Sequence, residues 1–322
     1  MSNLETAPAE LVCRGGEPVE AGVDVLTARD VPMGGPRGMR VRRTLPQRAR
    51  SLIGAWCFAD HYGPLDPSAG GMDLPPHPHT GLQTVTWLFA GEVEHRDSLG
   101  THSLVHPGEL NLMTSGHGIC HSEVSTPATT VLHGAQLWVA LPEAHRHGAR
   151  DFHHHVPTPV DLDGATARVF LGELAGETSP VPTFTPLLGA EIVLEPGARV
   201  RLPVAREYEH GVLVDTGSVV VAGMRLAPSD LGYVAPGESM VELSNVDSRA
   251  ARVLLLGGVP FGEDIVMWWN FVGRTHDEIV AFRESWEAES DQFGRIGGYR
   301  GKLSRLPAPA LPNARLTPRR HP

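Results

Sequence analysis

The chain has 322 residues, a net charge of −10 and 41% apolar residues, enough for one large domain or two of ordinary size. The negative charge repels phosphate backbones and so argues against direct nucleic-acid binding over a broad face. The three cysteines form no Cys-x-x-Cys pair, a pattern that argues against a disulfide framework and fits a reducing cytoplasm.

The beginning of the chain carries no targeting pattern. Residues 1–16 lack a basic region followed by an apolar one, so no secretory signal peptide is expected. The longest apolar runs, such as Val253–Leu256, are far too short to span a bilayer. We therefore expect a cytoplasmic protein without a membrane partner.

Short apolar stretches separated by turn signals begin at Trp56 and recur about every ten residues. Examples are Thr84–Phe89, Leu110–Met113 and Leu132–Leu141. The chain also contains 36 glycines and 28 prolines, which are natural where many short strands are joined by tight turns. The pattern predicts an all-β barrel or sandwich.

Two histidines, His77 and His79, are separated by one residue in a segment that reads as extended. Side chains at i and i+2 of a strand point the same way, and Pro78 favours an extended backbone in its predecessor. Imidazole is the commonest neutral ligand for first-row metals. The pair alone is a weak signal, because two surface histidines give the same spacing.

A second pair with the same spacing, His121 and Glu123, strengthens the case. Neighbouring antiparallel strands of a small barrel could bring the two pairs face to face. Three imidazoles and one carboxylate suit a divalent ion such as Fe(II), Mn, Co, Ni, Cu or Zn and leave positions open for other ligands.

Other chemically active side chains flank these pairs. Most are expected at turns or on the surface, with His102 and His117 as candidates to orient a metal ligand by a hydrogen bond. Cys120 should face away from the metal, because it alternates with His121 on a strand. The remaining flanking histidines are His61, His95 and His106. A separate cluster, expected in an exposed loop, consists of His145, His147 and His153–His155. Phe58, Trp87 and Met113 could line an apolar substrate pocket or simply pack in the core.

The second half repeats the strand and turn order of the first, after a junction near Pro157–Gly164. This repetition predicts duplication of one barrel module. We therefore divide the chain into an N-terminal metal-binding domain, residues 1–158, and a C-terminal domain, residues 159–322.

A helix is predicted near the end of the second half. Thr275 and Glu278 form a capping-box pattern, and Ile279, Phe282 and Trp286 follow at near-helical spacing. Residues 275–290 should therefore form an amphipathic helix that lies on the barrels.

Taken together, the motifs resemble the pirins, which are bicupins of the cupin superfamily. The resemblance covers about residues 40–290. It rests on His77-Pro-His79-Thr-Gly81, Pro107-Gly-Glu-Leu110, His121-Ser-Glu123, Leu137-Trp-Val139 and Trp268-Trp-Asn-Phe271.

The resemblance implies two tandem cupin (jelly-roll) β-barrels and a C-terminal amphipathic helix. It implies one divalent transition metal in the N-terminal cupin, with Fe(II) as the expected ion, bound by His77, His79, His121 and Glu123. Some pirin-like proteins cleave quercetin with dioxygen, and others are described as iron-dependent transcriptional cofactors.

Two departures from the family pattern bear on these expectations. Many relatives have Glu where this chain has Gln83, so an acid–base group is lost there, although Gln83 could still orient a substrate hydroxyl or a water. In the second half, aligning the turns places Pro203 and Ala205, then Ala250 and Arg252, opposite the metal-ligand positions. The C-terminal cupin is therefore expected to lack metal ligands.

Two functional hypotheses follow. The first is a mononuclear-iron dioxygenase, similar to quercetin 2,3-dioxygenase, that opens a flavonol-type aromatic substrate with dioxygen and uses Glu123 for proton transfer as well as ligation. The second is a non-enzymatic, iron-dependent redox sensor that binds a protein partner. An apolar pocket reaching the metal would favour the enzyme, and a closed site would favour the sensor.

Overall fold

A computed structural model describes residues 11–13, 23–33, 39–66, 71–313 and 315–316. The segment on which the signal-peptide expectation rests lies almost wholly outside these residues. Within them the chain is built from 27 strands and one helix.

The first half contributes β1 (Leu11–Cys13), β2 (Val23–Leu26), β3 (Arg29–Met33), β4 (Met39–Leu45), β5 (Trp56–Leu65), β6 (Asp73–His79), β7 (Leu82–Ala90), β8 (Val93–Asp97), β9 (His102–Val105), β10 (Leu110–Thr114), β11 (Ile119–Ser125), β12 (Leu132–Ala140) and β13 (Asp151–His155).

The second half contributes β14 (Val160–Leu162), β15 (Ala165–Leu171), β16 (Glu173–Leu174), β17 (Glu177–Thr178), β18 (Leu187–Leu194), β19 (Arg199–Pro203), β20 (Glu209–Thr216), β21 (Val219–Val221), β22 (Met224–Leu226), β23 (Leu231–Val234), β24 (Met240–Asn245), β25 (Ala251–Gly258), β26 (Ile265–Trp268), β27 (Phe271–Gly273) and α1 (His276–Glu287).

The strands form two barrels of matching design. The first combines a seven-stranded sheet, β13-β10-β7-β12-β5-β4-β3, with a four-stranded sheet, β6-β11-β8-β9. The second combines β14-β15-β18-β25-β20-β23-β2 with β19-β24-β21-β22. The all-β, two-barrel prediction and the duplicated design are confirmed.

The two barrels share an apolar interface formed by their seven-stranded sheets. Trp87 and Leu137 of the first sheet and Leu213 and Leu254 of the second belong to one buried cluster. The Trp87 indole N–H donates to the Glu191 carboxylate across this interface, at 2.9 Å. Trp87 therefore packs between the barrels and does not line a pocket inside the first one.

Strands from the beginning of the chain contribute to the second half. β2 pairs with β23 in the seven-stranded sheet of the second barrel, and β1 pairs with β26. The division into residues 1–158 and 159–322 stays a prediction.

The interiors of the two barrels differ in chemistry. The second is filled by aliphatic side chains from both of its sheets, among them Val212, Val214, Leu243, Val253 and Leu255. The first has a smaller apolar cluster at one end and a row of buried polar side chains beside it. Because buried polar groups need partners, this polar interior is where a functional site is expected.

The predicted helix is present as α1. Thr275 is its N-cap, and the Thr275 hydroxyl accepts from the Glu278 N–H at 3.2 Å. In a standard capping box the Glu278 carboxylate would accept from the N–H of the N-cap residue, Thr275. Here it accepts instead from the N–H of Arg274, one residue earlier. Ile279 and Trp286 are buried against the aromatic cluster of β26 and β27. In the part of the chain that is described, no helix is long and apolar enough to cross a membrane.

A largely buried cluster of polar and charged side chains also joins the barrels. Asp215 of β20 accepts from the Nε2–H groups of His61 and His133 on the first barrel, at 2.6 and 2.5 Å. Arg252 lies 3.0 Å from its other oxygen. The Ser229 hydroxyl contacts the second ring nitrogen of His61 at 3.0 Å. The expectation that His61 lies at a turn or on the surface is therefore wrong.

This cluster is better described as an ionic clamp than as a metal site. Two ligands about 2.1 Å from one ion and at right angles are separated by about 3.0 Å, so the shorter separations here are those of hydrogen bonds. Arg252 also neutralises the carboxylate. Although burial opposes ionisation, the hydrogen bonds from His133 and His61 lower the pKa of Asp215 to about 2.

We expect Asp215→Ala to destabilise the protein by about 3–5 kcal/mol, because it leaves buried donors and Arg252 without their carboxylate. Urea unfolding at pH 7 measures the loss, with the exposed Asp163→Ala as control. Since the folded pKa is depressed, the carboxylate stabilises above its unfolded pKa of about 3.9 and loses this effect as the pH falls towards 2. The variant Asp215→Asn, which cannot ionise at this position, provides the comparison. The difference in unfolding free energy between the wild-type protein and Asp215→Asn should become smaller below about pH 4. A gap that is the same at pH 7 and pH 3 would contradict the clamp.

Candidate metal centre

Strand pairing brings the two sequence pairs together. β6 and β11 are antiparallel neighbours, with His77 directly opposite His121 and Ile119 opposite His79. The side chains of His77, His79 and His121 lie on the inner face of the barrel and are fully buried. Three imidazoles from two adjacent strands therefore lie close together in the barrel interior.

The hydrogen bonds of the rings determine which nitrogen is free. His77 Nδ1–H donates to the Pro75 carbonyl at 2.8 Å, and His79 Nδ1–H donates to the Asn270 carbonyl at 3.1 Å. His121 Nδ1 lies 3.4 Å from Nδ1 of His95. With protons on the Nδ1 atoms, the Nε2 atoms of neutral rings carry lone pairs, as metal coordination requires.

Burial also keeps these rings neutral. Desolvation lowers the pKa of His77 to about 3 and lowers the pKa values of His79 and His121 well below their usual range. The cluster therefore presents unprotonated imidazoles at neutral pH, which is the state that binds metal.

The spacing of the nitrogens fits a single ion. Ligand atoms of the three rings lie within 4.8 Å of one another, and the Nε2 atoms of His79 and His121 are 3.1 Å apart. Nitrogens about 2.1 Å from one ion and at 90–110° to each other are separated by about 3.0–3.4 Å. Among the described side chains, His77 Nε2 is buried without a hydrogen-bond partner, as expected of a ligand atom aimed at a metal position.

Glu123, the fourth predicted ligand, lies next to this cluster. Its carboxylate falls in a second group, in which ligand atoms of His95, His121 and Glu123 lie within 4.8 Å of one another. The Thr86 hydroxyl donates to Glu123 Oε1 at 2.8 Å. Burial opposes ionisation of Glu123, but this hydrogen bond is among the interactions that hold its pKa below its usual range. His121 thus belongs to both groups and links Glu123 to the other histidines.

The sequence reading missed His95 and Asp97. Both are buried on β8, the strand next to β11, with Asp97 opposite His121 and His95 opposite Glu123. His95 Nε2–H donates to Asp97 at 3.1 Å. The signal was available, because His95-Arg-Asp97 is a third pair at i and i+2.

Gln83 does not face this site. In β7 it lies opposite Thr114, to which its side-chain amide donates at 2.9 Å, whereas Thr84 and Thr86 occupy the other face. Thr86 contacts Glu123, so Gln83 points away from the centre. The expectation that Gln83 could orient a substrate hydroxyl or a water is wrong.

Several other expectations are settled by the positions of the side chains. His102 and His117 are exposed and contact Glu94 and the Gly148 carbonyl, so neither orients a metal ligand. His153–His155 belong to strand β13 and not to a loop. Cys120 packs in the aromatic cluster below α1, on the face away from the site, as predicted.

The second barrel has aliphatic side chains at the corresponding places. By strand order, β19 and β24 are the counterparts of β6 and β11. Their buried residues are Val200 and Leu202, opposite Leu243 and Val241. Residues 250–252 lie at the start of β25, which is not the counterpart of β11, so the alignment that used them was shifted. That this barrel binds no metal stays a prediction, which the aliphatic pairs favour.

Comparison with known proteins agrees with the fold. The Pirin family profile matches residues 38–139, and the profile of the Pirin C-terminal cupin domain matches residues 189–293. The chain belongs to the pirin family. The first match contains all four predicted metal ligands of this pirin.

Several bacterial proteins are similar to this chain over most of its length. A Pseudomonas aeruginosa protein named "Putative quercetin 2,3-dioxygenase" is 44% identical over 89% of this chain and 90% of its own length. A pirin-like protein of Caulobacter vibrioides is 38% identical over 77% of this chain and 88% of its own. The crystal structure of quercetin 2,3-dioxygenase from Acinetobacter baumannii superimposes with a TM-score of 0.85 at 40% identity, covering 91% of this chain and 96% of that one.

We expect His79→Ala to remove most of the bound metal from a barrel that stays folded, because one of three converging nitrogens is lost. Elemental analysis of purified protein after reconstitution, with circular dichroism for the fold, makes the measurement. Gln83→Met is the matched control: it also alters a buried polar side chain of the same barrel, yet should leave metal content unchanged. Stoichiometric metal in folded His79→Ala would refute the ligand assignment.

Proposed function

We propose that this pirin is a mononuclear metal-dependent dioxygenase that opens a flavonol-type aromatic substrate, with Fe(II) as the resident ion. The proposal is carried by the convergence of the His77, His79 and His121 Nε2 atoms beside Glu123, the fourth ligand of the set. The names of the Pseudomonas aeruginosa and Acinetobacter baumannii proteins support the substrate class.

When bound, a divalent redox metal would supply Lewis acidity towards adjacent substrate oxygens and the means to react an electron-rich ligand with dioxygen. The protein itself supplies a proton acceptor. Glu123 is ionised at neutral pH, so it can take the proton of a flavonol hydroxyl group. The Thr86 hydroxyl donates its one proton to Glu123, and this hydrogen bond holds the carboxylate in place.

The inner face of the seven-stranded sheet offers hydrogen-bond donors to an oxygen-rich substrate. Among the described side chains, the buried donors Tyr62 OH, Asn111 Nδ2 and Trp138 Nε1 have no hydrogen-bond partner. Strand alternation and register place them on the same face as Thr86, towards the metal centre. Burial raises the pKa of Tyr62 well above its usual value, so its hydroxyl remains a donor. A flavonol, with several carbonyl and hydroxyl oxygens, complements such a surface.

The burial of the site favours a second candidate function. The four predicted ligands are each at most 1% exposed. A closed centre suits a redox sensor, in which oxidation of the metal changes the site charge by one unit and alters a surface for a protein partner. In this candidate function the metal is held without turnover.

We expect anaerobically loaded Fe(II) protein to consume dioxygen when quercetin is added, and Glu123→Ala to abolish this uptake because both the proton acceptor and the fourth ligand are lost. An oxygen electrode makes the measurement. Metal-free protein and the exposed Glu195→Ala variant are the controls. One metal per chain without uptake would contradict the flavonol dioxygenase and favour the sensor.

We expect Tyr62→Phe to raise the KM for quercetin about five- to tenfold, because one neutral hydrogen bond of about 1 kcal/mol is lost. Metal content should be unchanged, since the phenol is not a ligand. Steady-state kinetics and elemental analysis of the same preparation separate the two effects. An unchanged KM would exclude Tyr62 from substrate contact.

A further inference from the structure

The three buried histidines of the metal centre are oriented by different kinds of acceptor. His77 and His79 donate to backbone carbonyls, of Pro75 and Asn270. His121 instead faces the His95 side chain, 3.4 Å away from Nδ1 to Nδ1. Of the three, His121 is therefore the histidine whose Nδ1 is paired with a side chain and not with the backbone.

Asp97 is held rigidly and can serve as an anchor. Its Oδ1 accepts from the backbone N–H groups of Leu99 and Thr101, at 2.9 and 3.1 Å. Its Oδ2 remains for Nε2–H of His95, at 3.1 Å. The His95 ring also packs against Phe152, with ring centroids 4.8 Å apart. Both members of the pair are thus fixed by several contacts.

The contact between Asp97 and His95 determines the tautomer of His95 and, through it, the tautomer of His121. An ionised carboxylate only accepts, so His95 carries its proton on Nε2, and its Nδ1 is then an acceptor in the neutral ring. His121 must donate from Nδ1 to that acceptor, which leaves His121 Nε2 without a proton. This nitrogen is the one 3.1 Å from His79 Nε2.

We propose that His95 and Asp97 are positioning residues that hold His121 in the tautomer and orientation in which Nε2 binds the metal. The inference rests on the proposed metal centre. His95 and Asp97 do not touch the ion; they act through His121. Partners of this kind typically contribute 10–100-fold to metal affinity.

Asp97→Asn is the sharpest test. The amide keeps Oδ1 for the Leu99 and Thr101 N–H groups, so the turn is preserved, but it offers an N–H where Oδ2 stood. His95 Nε2 would then accept, its Nδ1 would carry the proton, and His121 would be driven to protonate Nε2. We expect Co(II) affinity, measured by chelator competition, to fall about 10–100-fold.

Two further variants separate positioning from structural support. His95→Leu should weaken Co(II) binding as Asp97→Asn does, whereas His95→Gln should retain more affinity because its amide can both accept and donate. The visible spectrum of the Co(II) protein should change in the weak variants. His153→Leu is the control, since His153 and Asp151 form an exposed histidine–aspartate pair with the same spacing and a 3.1 Å contact.

Wild-type Co(II) affinity and spectrum in folded Asp97→Asn would overturn the proposal and leave the metal centre standing. Failure of the wild-type protein to bind Co(II), Fe(II) or any other divalent ion tested would overturn both together. Equal losses in His95→Gln and His95→Leu, with unchanged spectra, would show a packing role only and so would also overturn it.

Discussion

Everything at the centre of this pirin depends on keeping three imidazoles neutral and aimed at one point in the interior of a barrel. Desolvation removes the protonated form, but it does not choose between the two ring nitrogens. The acceptors opposite the Nδ1 atoms make that choice, because each takes a proton on the far side of the ring from the metal position. Without them the same three residues would be buried polar groups with no defined function.

The two barrels divide the requirements of stability and function. The second is packed with aliphatic side chains, and it buries the outer face of the seven-stranded sheet that carries Thr86 and Gln136 on its inner face. Because its outer face is buried in this way, the first barrel can have polar side chains in its interior, where a small barrel on its own would need apolar core residues. The ionic clamp at Asp215 and the hydrogen bond from Trp87 to Glu191 add directional contacts between two largely apolar surfaces.

Much of the site follows from the alternation of side chains along a strand. Spacing at i and i+2 predicts that His77 and His79 point together, as do His121 and Glu123, and the structure agrees. The same rule fails for Gln83, because the turn at Thr80 and Gly81, where Gly81 has a positive φ of 66°, separates β6 from β7 and restarts the alternation.

Contacts between residues on different strands could not be predicted from side-chain alternation. The proximity of His95 and Asp97 to His121 depends on β8 lying beside β11, and strand order in a barrel is not written in local periodicity. The clamp at Asp215 depends on how two separate barrels meet. Register between distant strands comes from the packing of the whole domain, so the spacing of His95 and Asp97 does not indicate which residue they contact.

The acceptor for His79 is the Asn270 carbonyl, 191 residues further along the chain and just before β27. During synthesis the first barrel leaves the ribosome long before this carbonyl exists. The histidine that completes the cluster is therefore oriented only after the C-terminal segment has docked against β6. We expect metal capture to be a late event in maturation, and the occupied centre to report that the segment around Asn270 has docked on the first barrel.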